Sequence, residues 1–189
     1  MDALQLLTAD HNRVRGLFKR FQAAEGENDA QAARLATMIF EELLVHTKIE
    51  EEIFYPTVTK LNDEIHELVT EGVEEHHVVD KLMAEVRGLS PSDEQWAAKI
   101  KVLIENVEHH AEEEEQEMFP QVRKAMDNDA RAELGQRMEA RKAQLGAPTA
   151  ADKEALSTEE LQQLAREQEI PGRSKMDREE LLATVAPKS

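Results

Sequence analysis

Apolar residues recur at intervals of three and four along the first three quarters of the chain, which is the spacing of one helix face. Turn and breaker residues divide this pattern into five predicted α-helices. They cover about residues 2–24, 28–55, 62–88, 92–126 and 129–145. The second helix is expected to stop at Pro56 and the fourth to bend at Pro120, because an interior proline interrupts the helical hydrogen bonds. Ser92, with Gln95 three residues later, is predicted to form a capping box that opens the fourth helix.

The pattern contains an internal repeat. HTKIEEEIFYP at 46–56 recurs as HAEEEEQEMFP at 110–120, and DH at 10–11 recurs as EH at 75–76. Each predicted helical hairpin is too thin to bury a core alone, so two hairpins of common pattern are expected to pack together. The predicted fold class is therefore all-α: an up-down four-helix bundle with a fifth helix and a small C-terminal helical module.

Domain boundaries follow from breaks in this pattern. We predict a bundle with its additional helix over 1–146, a linker over 147–156 and a small module over 157–189. In the module, two short helices flank an extended loop, and Asp177 caps the second helix. Its segments LSTEELQQLAREQEI and GRSKMDREELL resemble small SAP-like or Rho-N-terminal-like units, whose relatives often touch nucleic acid. Its few clustered basic residues favour contact with a protein partner instead.

Charge and composition exclude several functions. The formal net charge is −17, with 40 acidic against 23 basic residues, which argues against binding to nucleic acid or to an anionic membrane. The chain has no cysteine, so disulfides, thiolate catalysis and iron–sulfur clusters are excluded. No apolar run is long enough to span a membrane, and the N-terminal residues do not have the pattern of a signal peptide. A cytoplasmic location is the resulting prediction.

Polar residues interrupt the inward apolar stripe of all four long helices at one level of the predicted bundle. These residues are His11, His46, Glu50, His76, His110 and Glu114. A buried ionised carboxylate costs several kcal/mol unless it is paired or bound to a metal, and packing does not explain two carboxylates converging with four imidazoles. Imidazole and carboxylate without sulfur suit iron, manganese or zinc. If both carboxylates bridge, two imidazoles remain for each metal, and two irons fit best.

Other polar residues lie off these stripes. His109 is expected to face solvent, and His66 and His77 are interpreted as surface residues or as supports for the ligands. Tyr55 follows His46 by nine residues, about 180° around a regular helix, so it is predicted not to be a ligand unless the helix breaks before Pro56. The remaining acidic residues of the repeat are interpreted mostly as solvated, and the alternatives are that some orient a ligand imidazole or guide cations towards the site. They are Glu51, Glu52, Glu112, Glu113 and Glu115.

With these motifs, the sequence resembles hemerythrin-like, HHE cation-binding domains over about residues 1–126. The resemblance implies a four-helix bundle with two non-haem irons, bridged by two carboxylates and by an oxo or hydroxo species, and it implies the same six ligands. The chain departs from the oxygen-carrying members at Asp80, where they have a second histidine. Their fourth helix also carries an aspartate five residues after its histidine, whereas here His110 and Glu114 form the better pair. His77, Asp80 and Tyr55 remain alternatives for completing the coordination.

The predicted function is that of a di-iron protein that reacts with a small oxidant, namely peroxide, nitric oxide or O₂, in defence against oxidative or nitrosative stress. A catalase-like or peroxidase-like activity would follow from an open coordination position. Because the second histidine is replaced by Asp80, the sequence does not favour reversible carriage of O₂. The alternative is a non-catalytic protein: a sensor of O₂ or iron, a carrier or an iron store.

Overall fold

The computed structural model describes residues 1–146, 158–167, 170, 172–178, 180 and 181. Its α-helices are α1 (Ala3–Ala24), α2 (Asp29–Ile49), α3 (Tyr55–Val58), α4 (Asp63–Arg87), α5 (Glu94–Glu113), α6 (Phe119–Ala125), α7 (Asn128–Gln144) and α8 (Thr158–Glu167). Two π-helical turns, Glu50–Phe54 and Glu114–Met118, join α2 to α3 and α5 to α6. The described residues form no strand. The all-α prediction is confirmed.

The long helices form a bundle of two packed hairpins. Helix α1 packs against α2, and α4 packs against α5. Each contributes one buried stripe, as on α1, where Leu4 and Leu7 precede His11 and where Val14 and Phe18 follow it. Apolar layers therefore lie on both sides of the level at which the polar residues occur, and these layers hold that level out of contact with water.

Both helices that contain a proline continue past it, so the predicted stop at Pro56 is wrong. The backbone N–H of Tyr55 donates to the carbonyl of Glu50, and that of Phe119 donates to the carbonyl of Glu114. This wider turn relieves the clash between a proline ring and the carbonyl four residues earlier. The helix therefore accommodates each proline by widening for one turn.

The start of α5 differs from the prediction as well. Asp93, not Ser92, occupies the position before the first helical residue, and its side chain makes no capping hydrogen bond to the helix. Asp93 instead accepts from the backbone N–H of Ser90, while the Ser92 hydroxyl lies 2.8 Å from that of Ser90. The capping-box prediction is wrong because the hydroxyls of Ser90 and Ser92 form a hydrogen bond with each other in the turn before α5.

The chain forms two compact units, Met1–Met138 and Glu139–Ser189. The second unit contains a small apolar cluster of Leu161, Ala165, Ile170 and Leu181. Asp177 caps the start of the second short helix as predicted, because its carboxylate accepts from the backbone N–H of Glu180. The linker predicted at 147–156 lies outside the described residues, and the domain boundaries stay a prediction. No helix in the described part of the chain could cross a membrane.

Candidate metal centre

All six residues singled out from the stripes lie at one level of the bundle. Each is at most 6% exposed, and each of the four long helices supplies one histidine. Glu50 and Glu114 are the first residues of the two π-helical turns. Their side chains point inward because they follow a ligand histidine by four residues on the same helix face. The structure therefore brings together the complete set predicted from periodicity.

Four of these residues form one group of converging ligand atoms. His11 Nε2 lies 3.2 Å from His46 Nε2 and 3.3 Å from Glu114 Oε2. His46 Nε2 lies 3.2 Å from Glu50 Oε1. The ligand atoms of His11, His46, Glu50 and Glu114 all lie within 4.8 Å of one another. We name this group the first position.

The other two histidines form a second group with Glu50. His76 Nε2 lies 3.2 Å from His110 Nε2 and 3.4 Å from Glu50 Oε2. The Glu114 carboxylate is farther away, with Oε2 at 4.0 Å from His110 Nε2. We name the group of Glu50, His76 and His110 the second position. Glu50 is common to both positions and presents one oxygen to each.

Tyr55 lies inside the centre, so its predicted placement on the opposite helix face is wrong. Its hydroxyl donates to Glu114 Oε1 at 2.9 Å and lies 3.4 Å from His110 Nε2. The π-helical turn between His46 and Tyr55 holds about one residue more than a turn of α-helix. Tyr55 is therefore rotated about 100° less around the helix axis than in a regular helix, and its ring faces the centre. Phe119 is the counterpart of Tyr55 in the repeat and stacks on His11, as Tyr55 stacks on His76. The hydroxyl is thus present on one side of the centre only.

A carboxylate lies behind each imidazole. Nδ1 of His11, His76 and His110 lies 2.7–2.8 Å from Glu115, Glu51 and Glu75 respectively, and Nδ1 of His46 lies 3.8 Å from Asp10. An ionised carboxylate only accepts hydrogen bonds, so in the three close pairs Nδ1 carries a hydrogen and Nε2 is the ring nitrogen that faces the centre. This is the arrangement of histidines that bind metals.

Sequence reasoning admitted this supporting role for Glu51 and Glu115 but missed it for Asp10 and Glu75. Both of the missed residues directly precede a ligand histidine in the repeated motif. Asp10 and Glu75 occupy the same place in the two hairpins, as do Glu51 and Glu115. The signal that could have found all four is the recurrence of acidic residues next to each ligand.

In the absence of a metal ion, protons balance the buried charges. Burial lowers the pKa of His11, but the Glu114 carboxylate 3.3 Å from Nε2 and the Glu115 carboxylate hydrogen-bonded to Nδ1 outweigh it and raise that pKa to about 10. Burial raises the pKa of Glu50 well above its ordinary range, and the charge of Glu114 adds to this effect. Burial opposes ionisation of Glu114, yet the His11 imidazole 3.3 Å away holds the pKa of Glu114 below the ordinary value. Burial lowers the pKa of His46 to about 4. The centre thus holds protons where cations would otherwise balance its carboxylates.

A small cavity borders the imidazoles. It has a volume of about 20 Å³ and touches all four histidines but neither Glu50 nor Glu114. Val14, Phe18 and Val79 contribute apolar walls. Such a volume holds about one or two water-sized molecules. Only a ligand of very few atoms could enter it.

The other candidate residues lie outside the centre. His109 and His77 are 63% and 64% exposed, and His66 and Asp80 are also exposed. The orientation predicted for α5, with His110 inward and His109 outward, is therefore confirmed. Of the three alternatives for completing the coordination, only Tyr55 reaches the centre.

Comparison with known proteins agrees with this geometry. The hemerythrin HHE cation binding domain family matches residues 2–122, the part of the chain that carries all six candidate ligands. The chain is also similar to a DNA nickase from Nostoc sp. strain PCC 7120, with 26% identity over 130 residues, which are 68% of this chain and 36% of that protein. The chain thus spans about a third of the length of this curated relative. No solved structure matches the chain. The family match and the buried centre of histidines and glutamates together show that the chain belongs to the hemerythrin HHE cation-binding domain family.

Proposed function

We propose that the centre binds two iron ions, held by His11, His46, Glu50, His76, His110 and Glu114. The observation that supports this most directly is the state of the carboxylates. Both oxygens of Glu50, together with Oε2 of Glu114, are fully buried and have no hydrogen-bond partner. Leaving such atoms unpaired costs several kcal/mol. A cation between the carboxylates and the imidazoles would remove that cost, so the donors fit the ions.

The number of ions follows from the two positions. The first offers four ligand atoms and the second offers three, and Glu50 belongs to both. A single zinc needs only about four ligands, which would leave buried histidines unused. The Tyr55 hydroxyl, 3.4 Å from His110 Nε2, is an additional donor that could complete the second position. Imidazole and carboxylate donors without sulfur suit iron or manganese.

The centre is suited to a small oxidant. A bound pair of irons would supply Lewis acidity and electrons. The protein supplies the small cavity against the four imidazoles, and its buried surroundings keep out bulk water. The Tyr55 hydroxyl is a hydrogen-bond donor at the centre. We therefore propose reduction or decomposition of peroxide, nitric oxide or O₂, in defence against oxidative or nitrosative stress.

A non-catalytic sensor of O₂ or iron, a carrier or an iron store would need the same ligands. These alternatives predict binding without turnover. We do not extend the proposal to DNA cleavage, the activity in the name of the Nostoc relative. The candidate ligands are at most 6% exposed, so a phosphodiester cannot reach them, and a net charge of −17 repels a polyanion.

The test uses reduced, iron-loaded protein under anaerobic conditions. Peroxide, nitric oxide and O₂ are added separately, and both oxidant consumption and the optical spectrum are followed. The proposal predicts either that peroxide is decomposed in many-fold excess over protein without an added reductant, or that nitric oxide or O₂ is reduced in many-fold excess while an electron donor such as ascorbate is present. A fully reversible spectral change with O₂ would instead favour a carrier, and a response limited to one equivalent would favour a sensor.

A further inference from the structure

The two halves of the centre differ in what neutralises their supporting carboxylates. In the first position, Arg13 donates to Asp10 at 3.0 Å, and Arg15 donates to Glu115 at 2.8 Å. Arg13 also donates to Glu42 at 2.8 Å, which ties the guanidinium to α2. These arginines fix the carboxylates behind His46 and His11. The first position is therefore braced from outside.

The second position lacks such a brace. Among the described residues, the ion pairs of Glu51 and Glu75 are with histidines only, and Lys48 acts on Glu51 from a longer distance. The Glu51 side chain is 42% exposed, against 26% for its counterpart Glu115. Glu75 is 19% exposed, against 3% for its counterpart Asp10. Both carboxylates behind His76 and His110 are thus nearer to water than their counterparts in the first hairpin.

Glu75 also connects the second position to a pair of ligating residues on the surface. One of its oxygens lies 2.7 Å from His110 Nδ1, and the other lies 4.0 Å from His109 Nε2. His109 Nε2 in turn lies 3.4 Å from Glu113 Oε1. One ligand atom from each of Glu75, His109 and Glu113 lies within 4.8 Å of the others. We name these three residues the outer triad.

The outer triad has a distinctive origin in the sequence. His109 and Glu113 have the same four-residue spacing as His110 and Glu114, displaced by one position. The buried pair therefore faces the centre, and the displaced pair lies beside it towards solvent. The counterparts in the first hairpin are Val45 and Ile49. The outer pair therefore occurs only beside the second position, where the supporting carboxylates have no arginine.

Resting on the proposed binding of two ions, we propose that the second position exchanges its ion with solvent through the outer triad, while the first position retains its ion. The triad would be a transient site for a divalent cation such as Fe²⁺. The second position has three histidine and carboxylate donors against four in the first, and the further donor available to it is the neutral Tyr55 hydroxyl. A supporting carboxylate that no arginine holds in place also orients its imidazole less firmly, which weakens the hold of that imidazole on a metal. The number of donors, the exposure and the route outward all act in the same direction.

The experiment measures iron exchange in the full chain. Protein loaded with natural-abundance iron is reduced under anaerobic conditions and mixed with excess ⁵⁷Fe²⁺, and bound ⁵⁷Fe is followed by mass spectrometry. We expect two phases of equal amplitude, one ion exchanging at least tenfold faster than the other. A single phase for both ions would overturn the inference and leave the binding of two ions intact. Protein that binds no iron would instead overturn the proposed function.

Variants of the exposed pair test the route. His109→Ala with Glu113→Gln should leave two irons bound at equilibrium but slow the fast phase severalfold, because the departing ion loses two of the three donors of the outer triad. The matched control is Lys99→Gln with Glu85→Gln, which removes a half-buried ion pair of 2.6 Å between the same two helices. An unchanged fast phase in the first variant, or equal slowing in the control, would contradict the route.

The arginine brace has its own test. Arg15→Gln should accelerate the slow phase, because Glu115 loses its partner while both irons still bind. Asp80→Arg places an arginine at the position in the second hairpin that corresponds to Arg15, and it should slow the fast phase by pairing with Glu51. If neither variant alters its phase, the difference between the halves does not come from these ion pairs.

Discussion

At the residue scale, the ligands were predictable and their supports only partly so. A ligand on an apolar stripe stands out because a buried charge must be compensated. Glu51 and Glu115 follow Glu50 and Glu114 by one residue, so each lies about 100° off the stripe. There, the sequence alone does not distinguish a solvated carboxylate from one that reaches a neighbouring helix. That distinction depends on which helix packs alongside, and the pattern of one chain segment does not contain it.

The two buried carboxylates should not contribute equally to metal binding. Glu50 presents one oxygen to each position, whereas Glu114 is close to the first position only. Glu50→Ala should therefore lose most of the iron, and Glu114→Ala should lose less. Plasma emission analysis of iron per chain measures this, with His109→Ala as a control that keeps both ions. Two irons in Glu50→Ala would show that this carboxylate is not shared.

The Tyr55 hydroxyl should stabilise the protein without metal. It is the donor to Glu114 Oε1 inside a buried site, and a buried hydrogen bond to a charged acceptor contributes about 1.5–3 kcal/mol. Tyr55→Phe should lower the free energy of unfolding of the chelated protein by about that amount. Urea denaturation measures the change. Phe119→Tyr is the matched control, and equal stability of Tyr55→Phe and the parent chain would rule out this contribution.

At the element scale, the long helices were predicted closely and the π-helical turns were missed. Predicted bounds such as 129–145 match the observed Asn128–Gln144 because periodicity extends over many turns. A π-helical turn shifts the apolar positions that follow it by about one residue. The sequence reveals this shift only if a long enough stretch of helix follows the turn. Helix α3 ends at Val58, four residues after the turn, which is too short for that signal. The spacing of a regular helix therefore places Tyr55 on the face opposite to the one that it occupies.

Substitution by alanine should change the free energy of unfolding differently at two glycines that lie inside long helices. A Cβ at Gly72 would meet the Tyr55 hydroxyl at 3.1 Å and His110 Cε1 at 3.2 Å, whereas a Cβ at Gly16 meets nothing within 4 Å. Gly16→Ala should stabilise the protein by about 0.5–1 kcal/mol, from the better helix propensity of alanine.

Gly72→Ala should lose that gain, because the methyl group displaces the tyrosine or the imidazole. It should also alter the optical spectrum of the iron-loaded protein. Urea denaturation and absorption spectra of both variants measure these effects. A normal spectrum together with full stabilisation in Gly72→Ala would contradict the close packing described for Tyr55.

At the scale of the whole molecule, the repeat explains why the chain has one centre between two hairpins. Each hairpin supplies two histidines and one glutamate, and the carboxylates behind them come from both hairpins: Glu115 supports His11, and Glu51 supports His76. Neither hairpin can therefore assemble the centre alone. The repeat predicted this symmetry, but the differences between the halves depend on single residues that only the packing identifies.

Metal binding should stabilise the whole bundle. An ion that binds only the folded chain adds about 2.7 kcal/mol when its free concentration is 100 times the dissociation constant. Anaerobic Fe²⁺ at that excess should therefore raise the free energy of unfolding by several kcal/mol relative to chelated protein. Urea denaturation with and without metal measures the shift. Coincident unfolding curves would mean that the centre does not prefer a metal to its protons.

The central claim is that two irons occupy the buried centre, and iron anomalous diffraction from crystals of iron-loaded protein tests it most directly. The account predicts two anomalous peaks, one among His11, His46, Glu50 and Glu114 and the other among Glu50, His76 and His110. A single peak at a centre that is otherwise intact, or peaks only at surface residues, would contradict it.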